Sequence, residues 1–177
     1  MNWISKFGSV LDCIDERDDI DADFYVAVSG ASEESLEQIN ISYPLIGKDY
    51  IEFLKKYDGA DIAQCRLFGT SELKRAEDIY SDVYPKSKWF VFGENAGGDP
   101  ILQNKDGEIF IGLGQTVNVE YQFLALSFFE FIDQVLMGEN YPRAFWIEDT
   151  EFKGFINEEK GNDPWLDFLI EKKWLTI

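Results

Sequence analysis

Apolar residues recur along this chain with two different periods, and the changes of period divide it into elements. Trp3, Ile4, Phe7, Val10, Leu11 and Ile14 fall at three- and four-residue intervals, which predicts a helix over roughly the first 16 residues with one face turned to a core. Phe24–Val28 is a short candidate strand. Ser32 can cap a helix that opens on Glu33 and Glu34, two carboxylates at the end of the helix dipole that favours them. Between Lys48 and Tyr57 the apolar positions Tyr50, Phe53, Leu54 and Tyr57 share one face, and Asp58-Gly59 supplies a stop. Arg66–Gly69 reads as a strand, Thr70 is placed to cap a turn at Ser71–Lys74, and a polar loop with Pro85 leads to Trp89.

The period then becomes two. Lys88–Gly114 predicts a strand meander: the aromatic run Trp89–Phe92, the glycine-rich bend Gly93–Asp99, a second apolar run, the turn Asn104-Lys105-Asp106-Gly107, and a third run from Ile109. Val117, Val119, Tyr121 and Phe123 alternate on one face of a further strand. Ser127 and Glu130 have capping-box spacing before a helix that continues through Ile132, Val135 and Leu136 to a stop at Gly138. Residues 139–177 read as an extension that closes with a helix capped by Asp163-Pro164. That helix buries Trp165, Leu166, Phe168 and Leu169, ends near Trp174, and is expected to dock through its two tryptophans.

Charge changes the picture more than size does. The 177 residues, 45% of them hydrophobic, suffice for one domain with a substantial core. Against 16 Lys and Arg stand 34 Asp and Glu, a formal charge of -18, so nucleic acid and anionic membrane surfaces are disfavoured as partners and a basic protein is favoured. Cys13 and Cys65 fit no metal or redox spacing and read as free thiols of a reducing compartment. With neither a signal-like start nor an apolar run of roughly 18 residues, the expectation is a cytoplasmic protein. The chain has no histidine, which removes Ser-His-Asp and Cys-His catalysis and every His-ligated metal site.

Two acidic stretches are the candidate site. Asp15, Glu16, Asp18, Asp19, Asp21 and Asp23 crowd one loop. Its Asp19, Asp21 and Asp23 begin a calcium-loop spacing that then fails, because the required glycine falls at Phe24 and the bidentate glutamate at Gly30, so partner contact is favoured over a metal. Glu94, Asn95 and Asp99 occupy the glycine-rich bend, which is not a phosphate loop: Asp99-Pro100 stands where such a loop carries Lys-Ser/Thr. Glu94, Asp99 or Glu120 could in principle pair as glycosidase carboxylates, the least favoured alternative. No cofactor is expected.

The order of motifs resembles the SUKH superfamily. Lys48-Asp49-Tyr50-Ile51-Glu52-Phe53-Leu54-Lys55-Lys56-Tyr57-Asp58-Gly59 is similar to its acidic-Tyr-x-x-Phe-Leu helix with a Tyr-Asn-Gly end. Trp89–Asp99 resembles its strand and Gly-Gly-Asp corner, Asp106–Phe110 its hairpin, and Leu126–Ile132 its Ser-Phe-x-x-Phe-Leu helix. Ile46-Gly47, Ala96 and Gln103-Asn104 depart from the usual pattern, which has Leu-Pro, a glycine and an acidic residue at those places. The resemblance covers about residues 32–138 and implies an α+β fold, a twisted, mainly antiparallel sheet with helices packed against it, with residues 1–31 and 139–177 as extensions of one domain. It further implies a non-enzymatic immunity protein that neutralises a cognate toxin domain, with a regulatory scaffold related to a fungal regulator of cell-wall synthesis as the alternative.

Overall fold

A computed structural model describes residues 2–113 and 120–177. Its α+β architecture rests on a seven-stranded sheet in which every adjacent pair is antiparallel and spatial order follows sequence order. The strands are β1 (Phe24–Val26), β2 (Ala60–Ile62), β3 (Cys65–Leu67), β4 (Phe90–Asn95), β5 (Pro100–Gln103), β6 (Ile109–Leu113) and β7 (Glu120–Ala125). Around them lie α1 (Trp3–Leu11), α2 (Glu33–Ser42), α3 (Lys48–Lys56), α4 (Leu73–Tyr80), α5 (Phe128–Glu130), α6 (Phe152–Glu159) and α7 (Pro164–Glu171). Short 3-10 turns occupy Ile14–Glu16 and Tyr141–Phe145.

The register explains the two faces of the sheet. Residues opposite one another in antiparallel strands point the same way, and the rows Phe24–Ile62–Cys65, Val26–Ala60–Leu67 and Ile101–Ile111 are all buried. Helices α1, α3, α5 and α7 pack on that face through rings: Phe7 and Trp165 lie 5.3 and 5.7 Å from Phe24, while Tyr50 and Phe128 lie 5.2 and 5.4 Å from Phe92. The opposite face carries α4 beside β4 and, after it, Tyr84 against Gly112 of β6.

The helix caps follow the sequence closely. Asn2, Ser32, Ser127 and Asp163 each accept a hydrogen bond from a backbone N–H in the first turn, those of Ser5, Ser35, Glu130 and Leu166. Glu130 reaches back to the N–H of Leu126 rather than to that of Ser127, so the predicted capping box closes one residue earlier. Beyond it the helix widens into a π-helix over Phe131–Leu136, with the Met137 N–H donating to the Ile132 carbonyl at 3.0 Å.

Several expectations need correction. The polar loop read between Thr70 and Pro85 contains α4, whose buried stripe is only Leu73, Ala76 and Tyr80, too sparse among charged neighbours to show as a period. Thr70 caps nothing there; its N–H and Oγ1 both donate to Asp58, at 2.6 and 3.0 Å. The first helix ends at Leu11 and the last at Glu171, and β2 lies between the predicted elements. Val117 and Val119 lie outside the described residues, while Tyr121 and Phe123 do share a face.

The tail is woven into the core. The Trp165 ring is fully buried, and its Nε1–H donates to the Leu136 carbonyl at 2.8 Å. Lys6, 5% exposed on the otherwise apolar face of α1, donates from Nζ to the carbonyls of Asp133 and Met137 at 2.6 and 2.7 Å and pairs with the Asp133 carboxylate at 3.2 Å. It thereby caps the end of the π-helix, whose carbonyls have lost regular partners. Replacing Lys6 by Met strands these acceptors. The expected loss is roughly 3 kcal/mol in a urea titration with unchanged slope, and Lys6→Met combined with Asp133→Leu should recover part of it.

Candidate functional site

A bulge in β4 sets the geometry of the predicted corner. Pairing between β4 and β5 shifts between Val91 and Gly93, which re-aims the residues that follow. Gly93 is required where it stands, because a Cβ there would lie 2.5 Å from the Arg66 carbonyl. Past the bulge, Glu94 sits opposite Arg66, Arg66 opposite Asp61, and Asp61 opposite Tyr25, so one row crosses four strands on the solvent face.

The row is a chain of alternating charge. The Arg66 guanidinium lies 3.9 Å from Asp61 and pairs with Glu72 at the start of α4 at 2.5 Å. Tyr80 donates its hydroxyl to Glu94 at 2.7 Å and lies 3.1 Å from the Gly98 carbonyl. Burial first and the Glu94 carboxylate second push the Tyr80 phenol up, so it remains a donor. Partial burial likewise pushes the Asp61 carboxyl up, against the pull of Arg66. Exposed pairs of this kind add little stability, so their effect is orientation.

The corner itself is stitched by Asn95. Its Oδ1 accepts from the N–H groups of Gly97 and Asp99, both at 2.9 Å, and its Nδ2 donates to the Asp99 carboxylate at 3.1 Å. Gly98 takes φ +81°, a conformation side chains resist. The Ala96 N–H donates to the Gln64 carbonyl of the β2–β3 turn at 2.7 Å. Asn95 is therefore spent on the backbone and on Asp99, and Glu94 and Asp99 are the half-buried carboxylates of the corner.

The acidic loop is built rather than loose. Ile20 is fully buried, and the Asp23 carbonyl accepts from the Ala63 N–H at 2.5 Å. Arg17 grips both Asp19 oxygens at 2.8 Å and both Glu171 oxygens at 3.1 and 3.0 Å, holding the loop to α7 and keeping the Asp19 carboxyl below its ordinary range. Asp15, Glu16, Asp18 and Asp21 are exposed. Burial pushes the Asp23 carboxyl up, with Asp163, Asp21 and Asp19 adding to the effect.

Of the predicted groups only Glu94 and Asn95 line a common concavity; none of the six carboxylates of the acidic loop does. Ala22 of the acidic loop lines the same open concavity, of about 390 Å³, as Asp61, Arg66, Glu94, Asn95 and Gly98. Asp61, Arg66, Glu72 and Tyr80 had not been singled out, although the alternations Ala60-Asp61-Ile62 and Cys65-Arg66-Leu67 carry the signal of half-buried strands. Glu120 does not join them. It lies three strands from Glu94, roughly 14 Å at sheet spacing, beyond the reach of a glycosidase pair. Cys65 at the base is buried, which pushes its thiol up to about 12 and leaves it unreactive. Among the described residues no group of three or more His, Cys, Asp or Glu is placed to hold a metal ion, and no helix is long and apolar enough to cross a membrane.

The pattern of the SMI1 / KNR4 family (SUKH-1) matches residues 30–134, more than half of the chain. The chain belongs to this family. No curated protein matches it. The SMI1 / KNR4 segment supplies Asp61, Arg66, Tyr80 and the Asn95 corner, while the acidic loop and β1 precede it.

Two outcomes test the site's construction. Asn95→Ala removes three hydrogen bonds, so the amides of Gly97 and Asp99 should exchange faster while stability falls by roughly 1–2 kcal/mol. The folded-state pKa of Asp23 is raised, so its ionisation opposes folding at neutral pH and protonation relieves this as pH falls. Asp23→Asn should therefore raise Tm at pH 7, with the gain shrinking through the carboxylate range.

Proposed function

We propose that the chain is an immunity-type protein that binds and neutralises a basic toxin domain without chemistry of its own, acting in the cytoplasm. The observation that carries this reading is the concavity lined by Glu94, Asn95 and Asp61, which Ala22 of the acidic loop borders, on a molecule of formal charge -18. Membership of the SMI1 / KNR4 family supports it, since immunity proteins are a general theme of SUKH relatives. A surface that holds its carboxylates in fixed positions attracts a cationic enzyme from a distance and loses little side-chain freedom when it docks. The nuclease class is the natural target. Its phosphate-binding surface is basic, and exposed carboxylates such as Asp15, Glu16, Asp18 and Asp21 can occupy it in place of nucleic acid.

The reading is tested by co-expressing the chain with the toxin domain encoded beside it. Protection and a stoichiometric complex are expected, whereas an absent complex at low salt removes the proposal. Asp18→Lys with Asp21→Lys should slow association roughly tenfold at low salt, change dissociation far less, and lose most of this effect at high salt.

A further inference from the structure

The solvent face of the sheet carries a second exposed surface, away from the acidic concavity. α4 lies beside β4, and the segment after it sets the Tyr84 hydroxyl against Gly112 of β6, next to the rings of Phe110 and Tyr121. There Trp89, Phe110, Tyr121 and Phe123 form a connected set of edge-to-face rings, with centroids 5.5 Å apart for Trp89–Phe110, 5.2 Å for Trp89–Tyr121, and 5.7 Å for both Phe110–Tyr121 and Phe110–Phe123. Phe110 stands directly opposite Phe123, and Tyr121 stands opposite Gly112. Tyr121 is 52% exposed and Phe123 38%. Contiguous exposed rings of this kind mark interaction surfaces rather than folding requirements.

The two edges of the sheet differ in how they are protected. β1 is three residues long and follows directly on the acidic loop. β7 is six residues long, contains neither lysine nor proline, and among the described residues pairs only with β6. Arg143 approaches the Leu124 carbonyl at 3.5 Å, and among the described residues Glu120–Phe123 has no strand on its outer side. Such an edge is a template for another strand.

The geometry points to β7 and its aromatic shelf as a docking site for an extended, cationic segment of a partner protein, which adds one strand to the sheet and lays arginine or lysine side chains over the rings. Charge selects this occupant. A second copy would bring another formal -18 against the first, whereas the ring faces carry the negative end of the aromatic quadrupole and attract guanidinium groups. Glu120, exposed on the same strand, adds to that attraction. Alternate residues of an added strand face the shelf, so the segment carries its cations with a period of two, and its backbone supplies the affinity. This surface is separate from the concavity and does not depend on a toxin being the partner there.

The test measures binding of a capped peptide of about ten residues, arginine and valine alternating, to the full chain at about 0.15 M salt. Tyr121→Ser with Phe123→Ser should weaken binding roughly tenfold while far-UV circular dichroism stays that of the wild type. Asp18→Lys with Asp21→Lys should leave that tenfold dependence on the rings in place. The same peptide with N-methylated backbone amides, equal in charge, should bind the wild type as weakly as the unmodified peptide binds the double variant. If the double variant does not fold, Tyr121→Ser alone makes the comparison, because Tyr121 is the most exposed of the rings. Equal binding with and without the rings, or undiminished binding of the N-methylated peptide, overturns the proposal. A wild-type dimer in sedimentation that the ring variant loses overturns it as well, by assigning the face to a second copy.

Discussion

The hydroxyl of Tyr50 holds the two layers of this protein in register. The side chain is fully buried, and the phenol reaches the carbonyls of Phe68, just beyond β3, and of Phe92 in β4, the latter at 3.2 Å. Burial pushes its pKa well up, so the group stays a neutral donor, and a neutral donor is what two carbonyls in an apolar core require. Its ring packs against Phe53, Phe90, Phe92 and Phe128, which joins α3, β4 and α5 at one point. Fixing the Phe92 carbonyl also fixes the residue at which β4 bulges. The direction of Glu94, and with it the charged row that crosses to Asp61, follows from a contact made on the opposite side of the sheet.

Most of the inner layer was legible because one period dominates wherever one face is buried. The stripe of α3, the caps at Ser32, Ser127 and Asp163, and the meander after Lys88 each state a local rule that the tertiary structure also obeys. α4 was illegible for the complementary reason. It covers a face that is only partly closed, so three buried residues suffice and the rest of the helix is charged. β2 spans three residues, too short for alternation to rise above its surroundings until its pairing with β3, which the strand read at Arg66–Gly69 overlaps, is known.

The site was legible as chemistry and not as geometry. Counting carboxylates located the acidic loop and the corner, but a count cannot show that Asn95 holds the backbone and the Asp99 carboxylate while Glu94 accepts from Tyr80. Nor can it find Arg66, whose importance lies in standing between Asp61 and Glu94 across strands that are distant in sequence. Tyr80 was hidden with its helix. The aromatic shelf is illegible for a related reason: Phe110 reads as a strand residue and Trp89 sits just before β4, and only the cross-strand register shows that their rings gather with those of Tyr121 and Phe123.

A molecule so strongly acidic must hold its carboxylates apart or neutralise them, and the cations present show which it does. Arg17 is committed to Asp19 and Glu171, Arg143 to Asp149, Lys74 and Lys86 to Glu77, and Lys6 to Asp133. Two of these links involve segments outside the SMI1 / KNR4 match: Lys6 ties α1 to Asp133 of the π-helix, and Arg17 ties the acidic loop to α7, joining the two flanks to each other. The basic residues are therefore used at joints, where one charge secures an element, while Asp15, Glu16, Asp18 and Asp21 are left exposed. Self-repulsion among those carboxylates costs stability. The buried rings of Trp165, Phe24 and Phe7 beneath them supply the apolar contact that offsets it, which makes the flanking segments both the most charged and among the most firmly anchored parts of the surface.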